Sequence, residues 1–434
     1  MTNETHDPAL RSWVESANDG LTDFPIQNLP YGVFLRSGSP QLPHIGVATG
    51  DQILDLAQCA QSGLLNDLPT DVVAAVQQTS LNALMYLGQA KWSALRQWLS
   101  RGLRAGSSEQ KALAPCLVPM SGAEMLMPAI IGNYSDFYAS IHHATNVGRL
   151  FRPDAPLLPN YKFVPIGYHG RVSSLVVSGT PVRRPQGQTK DDNAPFPVFG
   201  LTRALDYELE VGMFIGPGNH LGEPISIANA GAQLFGVCLL NDWSARDVQK
   251  WEYQPLGPFL AKSFCTSISP WLVTLEALAP FRVPATVRPE GDPPLLDYLN
   301  HPVDQAGGGI AITLEVWLSS TKMRAKGQRP MRLSQGRLSD MYWTPAQLVA
   351  HHSSNGCNLC PGDMLASGTV SGPAKENCGC LLEITRRGQE PVTLPTGEVR
   401  RFLEDGDEIS LRGCCESPDR PRLGLGECRG IVVG

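Results

Sequence analysis

Glycine and proline make up close to one residue in five of this chain, 43 and 36 of 434. Proline removes a backbone donor and glycine spends conformational entropy, so both interrupt regular helices. Long helices are thereby excluded over most of the length, leaving a turn-rich fold that is mostly β with some α. A length of 434 residues corresponds to about two to three domains, with enough chain for a large core free of disulfide or metal staples.

Charged side chains are 18% of the total, 35 basic against 41 acidic, for a formal charge of −6 with no basic run. That field does not attract a phosphate backbone or an anionic lipid surface, so neither nucleic acid nor a membrane is an expected partner. Residues 1–23 are polar and acidic, without the basic and apolar regions of an export signal. No run of about eighteen apolar residues is present to span a bilayer. The expected location is the cytoplasm, where the eleven cysteines would stay reduced.

Residues 24–56 consist of short apolar runs between Pro and Gly, including Tyr31-Gly-Val-Phe, Ile45-Gly-Val-Ala and Ile53-Leu-Asp-Leu. This is the texture of small-barrel strands. Leu84, Leu87, Leu95, Trp98 and Leu99 recur at helical spacing and predict one amphipathic helix over 81–103. The segment 101–128, rich in Gly, Ser, Ala and Pro, reads as a domain boundary. Beyond it, strand-like runs at 174–177, 207–215, 234–240, 310–318 and 381–385 dominate. The expected division is a polar tail over 1–22, a small barrel domain with a helix over 23–120, and a larger domain over 121–434.

Three stretches carry candidate chemistry. In Asp206-Tyr-Glu208-Leu-Glu210 acidic and apolar residues alternate with the period of a strand, which puts Glu208 and Glu210 on one face about 6.5 to 7 Å apart. Two such carboxylates in a dry site need a hard divalent cation such as Ca²⁺ or Mg²⁺; the alternative is a strand with one wet face. In the run from Asn241 to Tyr253, a helix would align Asp242, Arg246, Gln249 and Tyr253 within about 60° of arc. A solvated face is the usual reason for such a stripe, but this mixture of carboxylate, guanidinium, amide and phenol resembles a site wall. In Asp136-Phe-Tyr138-Ala-Ser-Ile-His142-His143, a helix would set Asp136 and His143 on one face, about 10 Å apart along the axis. One would hold a metal while the other works beyond it; otherwise both histidines are ordinary imidazoles.

Other patterns compete. Gly216-Pro-Gly-Asn-His-Leu-Gly222 has the wrong last spacing for a dinucleotide fingerprint, and no Gly-x-Ser-x-Gly elbow occurs. Cys357-x-x-Cys360 with Cys378-x-Cys380 would enclose zinc if the four thiolates met, making the chain a zinc-binding scaffold rather than an enzyme.

Taken together, Asp136-Phe-Tyr-x-Ser-x-x-His143-Ala-Thr-Asn-Val-Gly, Pro165-x-Gly-Tyr168-His-Gly-Arg, Leu205-Asp-x-Glu208-Leu-Glu210, Leu240-Asn-Asp242-Trp-Ser-Ala-Arg-Asp and Gly362-Asp-x-Leu-Ala-Ser-Gly-Thr369 resemble the fumarylacetoacetate hydrolase family. The run Asp23-Phe-Pro-Ile-Gln-Asn-Leu-Pro-Tyr-Gly-Val-Phe resembles its longer members, rather than the shorter relatives that act on other 2-oxo or 1,3-dicarbonyl compounds. The resemblance implies an N-terminal SH3-like barrel, a larger C-terminal domain of rolled mixed β-structure, and a homodimer. It implies hydrolysis of a carbon–carbon bond in 4-fumarylacetoacetate, the last step of tyrosine and phenylalanine degradation; a related acylpyruvate or diketo acid is the alternative substrate. By the same resemblance, Asp136, Glu208, Glu210 and Asp242 hold Ca²⁺ or Mg²⁺, with Lys262 and Thr266 matching positions of a magnesium site. His143 matches the base and Glu383 its orienting partner. Arg246, Gln249 and Lys262 match groups that stabilise developing negative charge, while Tyr138, Arg152, Tyr168, Gln249, Tyr253 and Thr369 match substrate contacts. Three residues depart from the family pattern: Cys265, Cys360 and His142, which adjoins His143.

Overall fold

The computed structural model describes residues 2–37 and 42–434. The short apolar runs near the start become antiparallel strands in a five-stranded sheet, in the order Leu117–Pro119, Gln52–Asp55, His44–Thr49, Tyr31–Arg36 and Ala123–Leu126. The single helix expected over 81–103 is instead two, Asn82–Tyr86 and Gln89–Leu103. Between them Gly88 takes φ 80°, a left-handed conformation that ends one helix and turns the chain into the next. The polar opening segment is packed rather than trailing: Thr5, His6 and Ser12 are buried, and the buried Arg96 guanidinium donates to Thr5 Oγ1 at 2.9 Å.

The central sheet is mixed and runs in the order Gly167–His169, Tyr134–Phe137, Met364–Ala366, Leu209–Ile215, Leu234–Asp242, Thr266–Ile268 and Leu175–Val177, with Val273–Thr274 also pairing to Leu234–Asp242. Its middle strands are buried on both faces. Leu209, Val211, Met213, Val237 and Leu239 meet a second sheet, in the order Met331–Arg337, Thr313–Ser319, Glu408–Ser417, Arg420–Val433 and Val182–Arg183. On the other face Phe214, Cys238, Leu240, Met364 and Ala366 join the core of the N-terminal helices and sheet, where Trp92 meets Phe235 edge-on at 5.1 Å. Because side chains alternate along a strand, a residue two away from one of these shares its face. The fold is mixed α and β, and no helix among the described residues is long and apolar enough to cross a membrane.

Phe214 is fully buried where the N-terminal core meets the central sheet. Phe214→Ala is expected to cost about 3–5 kcal/mol, read as a lowered midpoint in urea unfolding; a cost below about 1 kcal/mol would mean that this contact is loosely packed.

Candidate active site

Three strands of the central sheet, the first set apart from the other two by Met364–Ala366, bring a carboxylate each to one face. Asp136 shares its face with Tyr134, Glu210 with Phe214, and Asp242 with Leu240, the face that packs on the N-terminal core. One oxygen from each of the three lies within 4.8 Å of the others. All are buried, at 2%, 0% and 1% exposure. Asp136 Oδ1 and both Glu210 oxygens have no hydrogen-bond partner. Burial first, and then the neighbouring carboxylates, push Asp136 and Glu210 well above the usual carboxylate range. Orphaned, mutually repelling oxygens in a dry pocket are the donor set that a hard divalent cation satisfies.

Glu208 sits beside this trio, just ahead of the strand Leu209–Ile215. Its Oε1 accepts from Ser244 Oγ and Lys262 Nζ and pairs with Arg246 Nη1 at 2.9 Å. Its Oε2 accepts from Thr369 Oγ1. Burial acts to raise Glu208, but Arg246 and Lys262 outweigh it and hold the carboxyl well below its ordinary value. Lys262 bridges onward to Asp242 Oδ2 at 2.6 Å, and these two carboxylates keep its buried amine charged. A protonated amine has no lone pair to offer a metal, so Lys262 acts in the cage as a counter-charge.

Strand register supplies two supports of Asp242, one from its own partner strand and one from the partner strand of Asp136. Asp242 pairs with Thr266 and Asp136 with Tyr168; Thr266 Oγ1 donates to Asp242 Oδ1 at 2.9 Å and the Tyr168 hydroxyl to Oδ2 at 2.8 Å. Thr369 reaches Glu208 because the chain passes close to Phe137: at Gly368, with φ 73°, a Cβ would lie 2.0 Å from the Phe137 carbonyl oxygen.

His143 opens the helix Ile141–Phe151, whose N-cap Ser140 accepts from the His143 backbone N–H at 3.1 Å. The ring, 3% exposed, donates from Nδ1 to Glu383 Oε2 at 2.6 Å. Glu383 also accepts from Asn146 Nδ2 at 2.9 Å, Ser371 Oγ at 2.8 Å and Cys380 Sγ at 3.2 Å. Burial acts to raise Glu383, but His143, Asn146 and Ser371 hold it down at about 2. Tyr138 stands edge-on to the imidazole, with ring centroids 5.3 Å apart. His142 makes no hydrogen bond to this pair.

Several local expectations change. Asp136 lies on the strand Tyr134–Phe137, not on the helix of His143. Asp242 ends the strand Leu234–Asp242, and only Arg246–Glu252 is helical, so a strand end and a helix start supply what one helical face was expected to supply. The run 381–385 is a short helix, Leu381–Ile384, rather than a strand. Arg246 and Gln249 meet, with Nη1 donating to Oε1 at 3.1 Å. Arg152 and Tyr253 bond to neither the cage nor His143: Arg152 donates to the Pro156 carbonyl at 3.3 Å, and Tyr253 caps its helix at 37% exposure. The four thiols do not gather. Cys357 and Cys360 belong to no ligand cluster among the described residues, whereas Cys380 joins His143 and Glu383.

Asp206 is the functional residue that sequence reasoning missed. Its carboxylate accepts from Arg246 Nε at 2.9 Å and from the Leu381 and Leu382 backbone N–H groups at 2.8 and 2.9 Å. It therefore ties the cationic wall to the helix that carries Glu383. The signal was its place as the first acid of the alternating run.

A family model for the fumarylacetoacetase N-terminal region matches residues 27–128, and one for the fumarylacetoacetate hydrolase C-terminal region matches 133–433. The chain belongs to the fumarylacetoacetate hydrolase family. Among curated members of this family, the chain is 47% identical to fumarylacetoacetase of Bos taurus over 97% of its own length and 98% of that protein. It is 44% identical to fumarylacetoacetase of Oryza sativa subsp. japonica, over 98% and 97%. A solved structure of a fumarylacetoacetate hydrolase from psychrophilic Exiguobacterium antarcticum matches with a TM-score of 0.50 at 18% identity, covering 94% of this chain and 99% of that one; it shares the fold.

Proposed function

We propose that this chain hydrolyses a carbon–carbon bond of 4-fumarylacetoacetate, releasing fumarate and acetoacetate, and so closes tyrosine and phenylalanine breakdown. The observation that carries this reading is the junction at Glu208. It touches Lys262, Arg246 and Thr369, and Arg246 is tied through Asp206 to the helix that carries Glu383. A cage of three acids with unpartnered oxygens on Asp136 and Glu210, a cationic wall and a histidine–glutamate pair thus occur together in one chain that is similar over its length to fumarylacetoacetases.

Cleaving a 1,3-diketone needs an activated water and stabilisation of an enolate leaving group. His143 is the base. Its Nδ1 proton is fixed by Glu383, which leaves Nε2 to take a proton from water, while the ionised Glu383 stabilises the imidazolium that forms. Arg246, Gln249 and Lys262 stabilise negative charge developing on the substrate. Tyr138, Arg152, Tyr168, Tyr253 and Thr369 contact it, with Arg152 and Tyr253 reaching from the periphery. Asp136, Glu210 and Asp242 would hold Ca²⁺ or Mg²⁺, with Glu208 and Thr266 alongside. Such a cation, when bound, supplies Lewis-acid stabilisation to oxygens that gain charge.

The proposed division at 120/121 moves to after Leu126, because Ala123–Leu126 pairs with Tyr31–Arg36 in the five-stranded N-terminal sheet, and that sheet is the part of the chain we assign to an SH3-like barrel. A homodimer is supported by Phe196, Phe199, Leu256 and Phe259, each 70% exposed or more and costly to leave in water. A reducing, cytoplasmic setting is supported by the free state of all eleven cysteines.

Purified protein with Mg²⁺ or Ca²⁺ is expected to release acetoacetate from fumarylacetoacetate. Absence of turnover overturns the reading, and a higher kcat/KM for an acylpyruvate moves the substrate to that class.

A further inference from the structure

The mechanism leaves one buried nucleophile beside the base without a role. Cys380 is fully buried, and its thiol donates to the same Glu383 oxygen that receives the His143 Nδ1 proton, at 3.2 and 2.6 Å. An imidazole nitrogen, a sulfur and a carboxylate oxygen from these residues lie within 4.8 Å of one another. The set differs in kind from the all-oxygen cage of Asp136, Glu210 and Asp242. Hard ions sort to oxygen, whereas a mixed nitrogen, sulfur and oxygen set suits zinc and its spectroscopic stand-in cobalt.

We propose that His143, Cys380 and Glu383 form a second metal site, for thiophilic divalent ions such as Zn²⁺, and that filling it inhibits the enzyme. The inhibition rests on the reading of His143 as base; the binding does not. Zinc bonds to nitrogen and oxygen are about 2.0–2.2 Å and to sulfur about 2.3 Å, so the ion enters by replacing the two hydrogen bonds to Glu383. The bookkeeping involves no redox change. The Cys380 thiol proton leaves to solvent, a metal–sulfur bond forms, and Nδ1 gives its lone pair to the ion. The ring proton formerly on Nδ1 then resides on Nε2. A neutral imidazole bound through Nδ1 and protonated on Nε2 has no lone pair left for water. Catalysis stops while the carboxylate cage stays filled by Mg²⁺.

The test uses the full-length protein saturated with Mg²⁺. Co²⁺ titration should give a thiolate-to-metal charge-transfer band in the wild type that is absent from Cys380→Ser, which keeps a hydroxyl donor for Glu383, and from Cys380→Ala. Zn²⁺ should inhibit the wild type, and Cys380→Ser should raise the half-inhibiting concentration by about tenfold or more, the least that losing a direct ligand should cost given what outer partners cost. No band in the wild type, or an undiminished band in the Cys380 variants, overturns the site. Inhibition of equal potency in wild type and variant assigns zinc to the carboxylate cage and overturns it as well. A band lost with Cys380 in a protein without turnover upholds the metal site and fails the proposed activity, on which the inhibition alone rests.

Discussion

Replacing His143 with alanine is expected to lower kcat by about 10²–10⁴-fold, the range that a positioned general base contributes. The protein should nonetheless fold. Glu383 would lose its partner at 2.6 Å but would keep Asn146, Ser371 and Cys380 as donors, so its charge is not stranded in the core. Steady-state kinetics on fumarylacetoacetate, alongside circular dichroism of the same preparation, separates the two effects. A kcat within about tenfold of wild type would remove His143 from the role of base. A parallel loss in KM is not expected, because the imidazole is held against Glu383 and Tyr138 rather than offered to an anionic group of the substrate.

The second large effect concerns the acidic cage. Ca²⁺ or Mg²⁺ should raise the melting temperature, because the ion satisfies Asp136 Oδ1 and the two Glu210 oxygens that have no partner. At a hundred times its dissociation constant, a ligand bound only by the folded state adds about 2.7 kcal/mol. Glu210→Gln keeps the shape and removes a charge. Without metal, that variant should be at least as stable as the wild type, since it relieves repulsion that burial makes severe. With metal, it should lose most of the rise. Thermal scans of both proteins with and without the ion check the two signs, and a full metal-induced rise in Glu210→Gln would place the cation elsewhere.

The alternation of acidic and apolar residues around Glu208 and Glu210 was legible because strand periodicity survives inside a buried sheet. Its consequence was only half legible. Glu210 turns to the trio, whereas Glu208, one residue before the strand begins, turns to Lys262 and Arg246. The stretch around Asp242 misled because Asp242, Arg246 and Gln249 do cooperate, but across a strand end and a helix start rather than on one helical face. Spacing cannot distinguish these when the strand is interrupted at Trp243 and the chain continues into a different sheet. Leu381-Leu-Glu383 reads as strand by its apolar content, yet the Asp206 carboxylate receives the backbone donors of Leu381 and Leu382 and lets a helix begin there. That partner lies 175 residues away, beyond the reach of any local pattern. The broken helix near the start, by contrast, was signalled by Gly88 itself.

The strand Leu209–Ile215 is buried on both sides, and the face bearing Glu210 is shared with the N-terminal core through Phe214. Injury to the N-terminal helices would therefore be felt in catalysis without touching any catalytic group. Sequence changes there should yield temperature-sensitive enzymes, competent in the cold and failing with modest warming, so heat lability rather than altered substrate preference is the phenotype by which such lesions would be recognised.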